Sequence, residues 1–328
     1  DDYLLEWGND KVADFAKDYD VIGITCLTST SLVAIDLAKR LKGKFLISGG
    51  PHATLFPGQM IEYFDAVVVG EGEGVISDII KNRKKGIIKG IKIENLDELP
   101  MPARHLLPLE QYPMKNEFLK SNRVFNVNTS RGCIFNCTFC SVKSIWGRTY
   151  RAFSPKRVAE EINFLIMKYK ANGIYFREDN FTYDRKRVLG ICEWIKDWNI
   201  EWVCESRVEH LDEEVVKAMS ESGCRGVWFG TESGSNRVLK MLHKGVNKER
   251  AIETIKLCKK HNIKTGASFV FGLPGETKKE MFETLNFAHR LDSYWTWFNY
   301  YLGIPGSDLY DKIIKEGLYD RLDERKYA

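Results

Sequence analysis

Cys133, Cys137 and Cys140 close the run Thr129-Ser130-Arg131-Gly132-Cys133-Ile134-Phe135-Asn136-Cys137-Thr138-Phe139-Cys140, a C-x3-C-x2-C array behind an apolar, strand-like stretch. Cysteine thiolates hold iron–sulfur clusters, and a four-iron cubane ordinarily takes four of them. Three thiolates leave one iron open to a substrate-like ligand, which points to chemistry at the cluster rather than electron storage alone. The competing reading is structural zinc, which ordinarily takes four ligands, commonly as close pairs. No second C-x2-C pair follows, and the six histidines, at 52, 105, 210, 243, 261 and 289, are scattered. Eight cysteines in 328 residues without a signal peptide read as a reduced, cytoplasmic chain, so disulfides are not expected. Cys26, Cys192, Cys204, Cys224 and Cys258 lie in strand- or helix-like stretches and read as small buried hydrophobes.

Parallel βα units must position such a loop. Val124–Asn128 reads as the strand that feeds it, and Ser154-Pro155 opens a helix with Ser as N-cap and Pro at the first helical position. Strands are expected at Ile174–Phe176, Trp202–Glu205, Val227–Phe229, Thr265–Phe271 and Trp295–Tyr301. Helices are expected between them, through Val188–Ile195, from Asp212 to near Gly223, over Asn247–His261 and over Thr277–Arg290. The strand ends gather polar residues: Arg177-Glu178-Asp179-Asn180, Glu205-Ser206-Arg207, Thr231-Glu232-Ser233-Gly234-Ser235 and Gly272-Leu273-Pro274-Gly275-Glu276-Thr277. Each tail alone reads equally well as a helix cap or turn. Four on consecutive strands, beside a cysteine loop on the first, favour a binding site at the carboxyl ends.

The first ninety residues carry short apolar runs at Val21–Thr25, Phe45–Ser48 and Ala66–Val69, with helical patterning at Ser31–Leu41 and Met60–Phe64 and continued alternation over Val75–Ile80. They read as a second parallel α/β layer. Glycines crowd two strand ends, Gly49-Gly50-Pro51-His52-Ala53-Thr54 and Gly70-Glu71-Gly72-Glu73-Gly74. Ligands sit at such ends in open α/β sheets, although short turns explain glycine there equally well.

The cysteine array, with Phe139 just before its last member, resembles the signature of the radical S-adenosylmethionine (SAM) enzymes. The resemblance implies that Cys133, Cys137 and Cys140 bind a [4Fe–4S] cluster whose fourth iron is chelated by SAM. An electron from the cluster then cleaves SAM to methionine and a 5′-deoxyadenosyl radical. It implies SAM contacts from Phe139 near the adenine, from Glu178 and Asp179 to the amino group, and from Arg207 to the carboxylate. Glu232 and Ser233 match the ribose-contacting tail, and Gly272, Leu273 and Pro274 the motif beside the adenine. The usual acidic motif is Gly-Gly-Glu, so Glu178-Asp179 is a departure that leaves the contact atom open. Pro305-Gly306 resembles the turn after the sixth strand.

The glycine loops in front of this core resemble the cobalamin-binding domain of the cobalamin-dependent radical SAM class. That likeness implies a cobalamin site at Gly49, Gly50, His52, Gly70, Glu71 and Gly72. No Asp-x-His-x-x-Gly motif occurs, so a histidine ligand to cobalt of the methionine-synthase type is not supported; His52 after Gly-Gly-Pro reads more readily as a helix cap or turn residue. The expected fold is α/β: a partial (β/α)6 radical SAM barrel preceded by an incomplete Rossmann-like cobalamin-binding α/β domain. The expected boundaries are 1–90 for the cobalamin domain, 91–122 for a proline-rich linker, 123–318 for the barrel and 319–328 for the start of a C-terminal extension.

The implied function is radical SAM catalysis on an unactivated carbon, by methylation or by oxidative rearrangement and cyclisation. A methylthiotransferase is the first alternative, but such enzymes resemble a chain with three further cysteines in the N-terminal domain, where only Cys26 stands here. A non-catalytic cluster- or cobalamin-binding sensor is the second, and would need no SAM-binding tails. Expected partners are a small-molecule substrate of lipid-like or polycyclic type and a reducing donor such as flavodoxin or ferredoxin. A net charge of +4 with basic residues spread along the chain indicates no nucleic-acid surface. No apolar run approaches the ~20 residues of a spanning helix. Trp295 and Trp297 alternate on one strand and read first as core packing, with the lining of a substrate cavity as the alternative.

Overall fold

The computed structural model describes residues 2–112 and 114–318; Pro113 of the expected linker and the expected extension at 319–328 lie outside the described residues. The described chain divides into two units, one of residues 2–94, 143–147 and 304–318, the other of 95–142 and 148–303.

The first unit opens with helix α1 (Asp2–Ala16) and continues β1 (Val21–Thr25), α2 (Ser31–Arg40), β2 (Phe45–Gly49), α3 (Gly50–Leu55), α4 (Pro57–Met60), β3 (Ala66–Val69), α5 (Ile76–Asn82) and β4 (Gly86–Lys89). The four strands are parallel, in the order β1-β2-β3-β4. Side chains alternate across a strand, so β2 sends Leu46 to a core with Ala34, Ile35 and Met60, and Ile47 to a core with Val68 and Ile79. Two elements differ from expectation. Gly50-Pro51, read as a turn, starts α3, because Pro suits a first helical turn. The short strand β4 lies behind the basic stretch Lys81–Lys85 and carries too little apolar pattern to be seen in the sequence.

The second unit follows the expected alternation. Its elements are β5 (Val124–Val127), β6 (Ser130–Arg131), α6 (Val142–Trp146, mostly within the first unit), β7 (Arg151–Ala152), α7 (Pro155–Tyr169), β8 (Gly173–Phe176), α8 (Arg185–Ile195), β9 (Glu201–Ser206), α9 (Glu213–Glu221), β10 (Cys224–Glu232), α10 (Asn236–Met241), α11 (Lys248–Lys260), β11 (Lys264–Phe271), α12 (Lys278–Leu291) and β12 (Trp295–Tyr300). Six strands form one parallel sheet in the order β12-β11-β10-β9-β8-β5, open between its two edges. This is a partial barrel. Ser154 caps α7 through the Arg157 amide at 3.2 Å. Val158, Ile162 and Leu165 of α7, and Val188, Ile191 and Ile195 of α8, pack on outward strand residues such as Phe176 and Cys204. After β12 the chain returns to the first unit as α13 (Asp308–Lys315), where Lys143 pairs with Asp308 at 2.5 Å.

The stretch expected as a linker is mostly part of this second unit. Leu96 and Phe118 are each 1% exposed, and Arg104 pairs with Glu161 at 2.6 Å, both groups buried. Phe118 closes one end of the barrel. A Cβ on Gly226 would lie 2.5 Å from the Phe118 ring, which stacks obliquely on Trp228 at 5.1 Å between centroids. Isolated apolar residues in a proline-rich segment carry no period, so their burial is invisible until the barrel floor exists.

Candidate functional site

The cysteine loop is clamped at its entry. Glu178 Oε1 accepts the Thr129 amide at 2.8 Å and its hydroxyl, and Oε2 accepts the Ser130 hydroxyl. Arg187 stands 3.9 Å away and donates to the Thr129 carbonyl at 2.9 Å. The Glu178 side chain is wholly buried in these contacts. Asp179, the next residue, points the other way and lines a cavity of about 800 Å³ inside the barrel. Burial, reinforced by the charges of Glu178 and Glu205, raises its carboxyl to about 6, against the pull of the Gly132 amide. The structure thus separates the two acids that the sequence paired.

The loop is also tied along its length. The Thr138 amide donates to the Leu242 carbonyl at 3.0 Å and its hydroxyl to Met241 at 3.2 Å, while the Cys140 amide donates to Cys137 at 3.1 Å. Cys137 is buried and Cys133 and Cys140 are half-buried. Burial raises the Cys133 thiol and pushes Cys140 up to about 11, and Asp179 and Cys137 add to both shifts. That mutual influence places the three sulfurs and Asp179 in one locale. Among the described residues no set of three His, Cys, Asp or Glu side chains closes on a single ion position. A cubane asks for something wider, since each thiolate takes a separate iron.

Arg207 stands beside this loop. Its Nη1 lies 3.8 Å from Cys137 Sγ, Nη2 donates to the Lys244 carbonyl, and the guanidinium lies 4.0 Å from the Phe135 ring centroid. Glu232 faces the same cavity from a β-bulge at the end of β10, with φ of 65°. Lys244 Nζ donates to Glu232 Oε1 at 2.9 Å, and both residues are buried. Burial opposes the charge on Lys244, but Glu232 and Cys137 together outweigh it and raise its pKa. Gly230 leaves room for this pair, since a Cβ there would lie 2.5 Å from Glu232 Oε1.

The remaining expected SAM residues divide in the same way. Phe139 is half-buried, with the Lys244 ammonium 5.8 Å from its ring centroid. Ser233 is fully buried, bonded to the Thr284 hydroxyl at 3.1 Å and accepting the Ser235 amide at 3.1 Å. Gly272, at φ of 76°, and Leu273 donate their amides to Glu276 Oε2 at 2.8 and 3.3 Å, forming the turn at Pro274. Leu273 is buried. Ser235 and Thr277 cap α10 and α12, as the cap reading has it, while Glu232, in the same tail as Ser235, faces the cavity.

Sequence reasoning named Glu205 only within a polar strand end and missed Lys244, Trp228 and Tyr175, whose hydroxyl donates to Glu205 at 2.8 Å; all line the cavity. For the strand residues, alternation was the available signal; Lys244, in a loop, carried none. Tyr175, Arg177 and Asp179 recur at period two, as do Glu205 with Arg207 and Trp228 with Gly230 and Glu232. Trp297 corrects its assignment to the core. It lines the cavity and is half exposed, as is Trp295, because β12 is an edge strand of the sheet among the described residues.

In the first unit, Gly49 is extended and Gly70 has φ of 84°; a Cβ on either would meet no atom within 4 Å. The carboxyl ends of β2 and β3 therefore carry an open mouth. Gly50, at φ of 88°, lets the chain pass Thr25, whose Oγ1 would lie 2.3 Å from an added Cβ. His52 is fully buried, with Nδ1 3.2 Å from Thr28 Oγ1 and Nε2 2.9 Å from Gln59 Oε1. Both ring nitrogens are engaged within the fold. Glu71 is buried and accepts the Ile93 amide at 3.4 Å, and Gly72 lies against Val68.

The family model for the B12 binding domain matches residues 1–80, and that for the Radical SAM superfamily matches residues 127–288. A Pyrococcus horikoshii protein described as an uncharacterized methyltransferase is 36% identical over 351 residues, spanning 96% of this chain and 75% of that relative. The chain belongs to the radical SAM superfamily. Within it, this radical SAM chain is of the cobalamin-dependent class, as its two domains together show. It is 28% identical to the anaerobic magnesium-protoporphyrin IX monomethyl ester cyclase of Rubrivivax gelatinosus, over 90% of this chain and 58% of the cyclase. A putative methylthiotransferase of Methanocaldococcus jannaschii is 27% identical, over 90% and 70%. The fold matches that of the radical SAM methyltransferase TsrM from Kitasatospora setae, with cobalamin and a [4Fe–4S] cluster bound, at a TM-score of 0.74 and 16% identity, over 94% of this chain and 67% of that one.

The cofactors of this radical SAM enzyme are a [4Fe–4S] cluster, SAM and cobalamin. Its residues fit them: three thiols without a fourth on the loop, a cavity with charges of both signs beside it, and a glycine-lined mouth in the B12-binding unit. Among the described residues no helix is long and apolar enough to cross a membrane.

Proposed function

We propose that this chain is a methyltransferase of the cobalamin-dependent radical SAM class, acting on a carbon of a small molecule with a planar, polycyclic face. When bound, the cluster supplies the electron that cleaves SAM to methionine and a 5′-deoxyadenosyl radical, and cobalamin carries the methyl group. The chain's own residues bind and orient. Asp179 takes the SAM ammonium, a cation that favours the ionised carboxylate. Arg207 takes the SAM carboxylate, since guanidinium and carboxylate match in shape and charge. Glu232 holds a ribose hydroxyl through Oε2, its Oε1 being engaged by Lys244. Backbone groups of the turn through Gly272 and Pro274 meet the adenine beside Phe139.

The single observation that carries the SAM site is the division of labour between Glu178, buried in loop contacts, and Asp179, facing the cavity. Likeness to the Pyrococcus methyltransferase supports methyl transfer over cyclisation. Trp228 and Trp297 on the cavity wall favour a planar substrate over a flexible lipid chain. Cys26 is the lone cysteine of the B12-binding domain, and one thiol does not hold a second cluster, which disfavours methylthiotransfer. A low-potential electron-transfer protein of the flavodoxin or ferredoxin type is the proposed donor.

The test is anaerobic. The chain is reconstituted with iron, sulfide and cobalamin, given reductant and SAM, and 5′-deoxyadenosine and S-adenosylhomocysteine are quantified. Both products, with the second dependent on cobalamin, support methyl transfer, and deoxyadenosine alone points to the cyclase type. Cys137→Ala is expected to abolish both products; retained cleavage in that variant overturns the cluster assignment.

A further inference from the structure

Two cations converge on the cysteine loop, and only one of them belongs to the SAM contacts proposed above. Arg207 reaches Cys137 Sγ at 3.8 Å with Nη1. The same guanidinium holds the Lys244 carbonyl through Nη2, so the segment carrying Lys244 is fixed to the loop from its backbone. Two further bonds anchor that segment, from the amide and hydroxyl of Thr138, which adjoins Cys137, to Leu242 and Met241. The Lys244 ammonium is carried over the Phe139 ring, between Cys137 and Cys140 in sequence, at 5.8 Å. Lys244 is 8% exposed, and its partner Glu232, 6% exposed, meets it at 2.9 Å.

Placing this pair constrains the backbone. Glu232 adopts a left-handed φ of 65°, costly for a residue with a side chain, at a bulge in the β10–β11 register. Gly230 leaves the space that the two charged ends fill, since a Cβ there would stand 2.5 Å from Glu232 Oε1 and 2.8 Å from Lys244 Nζ. A buried ion pair contributes little net stability, because desolvation offsets most of its attraction. Strain and burial spent on such a pair beside a redox group suggest an electrostatic purpose, because net charge around a cluster sets its potential.

We infer that Lys244 is a positioning residue that sets the positive charge felt by the cluster thiolates, with Glu232 as its counter-charge, and that this pair governs how readily the cluster accepts an electron from a one-electron donor. The inference rests on the cluster assignment proposed above. A cation near the thiolates stabilises the reduced, more negative cluster. Its loss makes the potential more negative, and loss of its counter-charge does the reverse.

The experiment is an anaerobic redox titration of the reconstituted chain without SAM, in dithionite with low-potential mediators, following the reduced cluster by electron paramagnetic resonance and measuring iron content separately. Four proteins are compared: the unaltered chain, Lys244→Met, Glu232→Gln and the double variant. At the unaltered chain's midpoint, Lys244→Met is expected to lower the ratio of reduced to oxidised cluster about tenfold, equivalent to ~59 mV for one electron. Glu232→Gln is expected to raise it by a similar factor, and the double variant to return near the starting value. Shifts of the same sign in both single variants, no shift, or loss of the cluster from both would assign the pair to structure alone and overturn the inference. An unaltered chain that binds iron and sulfide yet shows no reducible cluster overturns the underlying cluster reading instead.

Discussion

The Thr129 amide donates to Glu178 Oε1 at 2.8 Å, so the acid at the end of β8 clamps the strand end that delivers the cysteine loop. Arg187 completes the clamp 3.9 Å from the same oxygen. Removing one partner from a buried charged network costs far more than the network itself contributes, because the other charge stays buried without compensation. Glu178→Gln is therefore expected to destabilise the fold by about 3 kcal/mol. Asp179→Asn, on the cavity side, is expected to bring no loss of stability and to weaken SAM binding at least tenfold. Denaturant unfolding and equilibrium dialysis with SAM separate the two; equal stability losses would place both acids in the clamp.

Asp179 also predicts a pH dependence for the cluster-free chain. Burial with the charges of Glu178 and Glu205 raises its carboxyl from 3.8 to about 6. Between these values the native chain holds a proton that the unfolded chain has released, so stability falls as pH rises. The contribution is full below about 4 and lost on passing through 6. The unfolding midpoint at pH 5 is expected to exceed that at pH 7, and Asp179→Asn is expected to flatten the difference.

Gly49 offers a separate test of the B12-binding mouth. Its backbone is extended and an added Cβ meets nothing within 4 Å, so the fold accommodates a larger side chain. Gly49→Leu is expected to leave stability within ~0.5 kcal/mol, as surface substitutions usually do. The same leucine would fill the mouth and reduce cobalamin retention at least tenfold. The visible spectrum of the protein after gel filtration with cobalamin reads this directly; full retention would place the corrin elsewhere.

Phe118 tests whether the former linker is the barrel floor. It is 1% exposed and packs on Gly226 and Trp228. Phe118→Ala is expected to cost roughly 3–5 kcal/mol, the range for a buried phenylalanine. Tryptophan fluorescence is expected to shift to longer wavelength as Trp228 meets water. An unchanged unfolding midpoint would make the segment a loose tether.

By itself the sequence determined the chemistry and the alternation. C-x3-C-x2-C is a local pattern whose meaning lies in ligand count, and runs such as Val188–Ile195 or Thr265–Phe271 carry their period within a few residues. The strand that feeds the loop, the Ser154 cap and the polar strand ends were legible for the same reason. Tertiary structure decided which member of each polar tail faces inward. Glu178 and Asp179 are adjacent and chemically alike, yet the chain leaving β8 turns one to the loop clamp and the other to the cavity. Lys244 lies twelve residues beyond Glu232 and finds it only because α10 folds back under the loop. Phe118 becomes a floor only when Gly226 and Trp228 stand opposite it. Local spacing records which bonds the chain is able to make; long-range packing selects among them, because burial and direction belong to the assembled sheet and to no single segment.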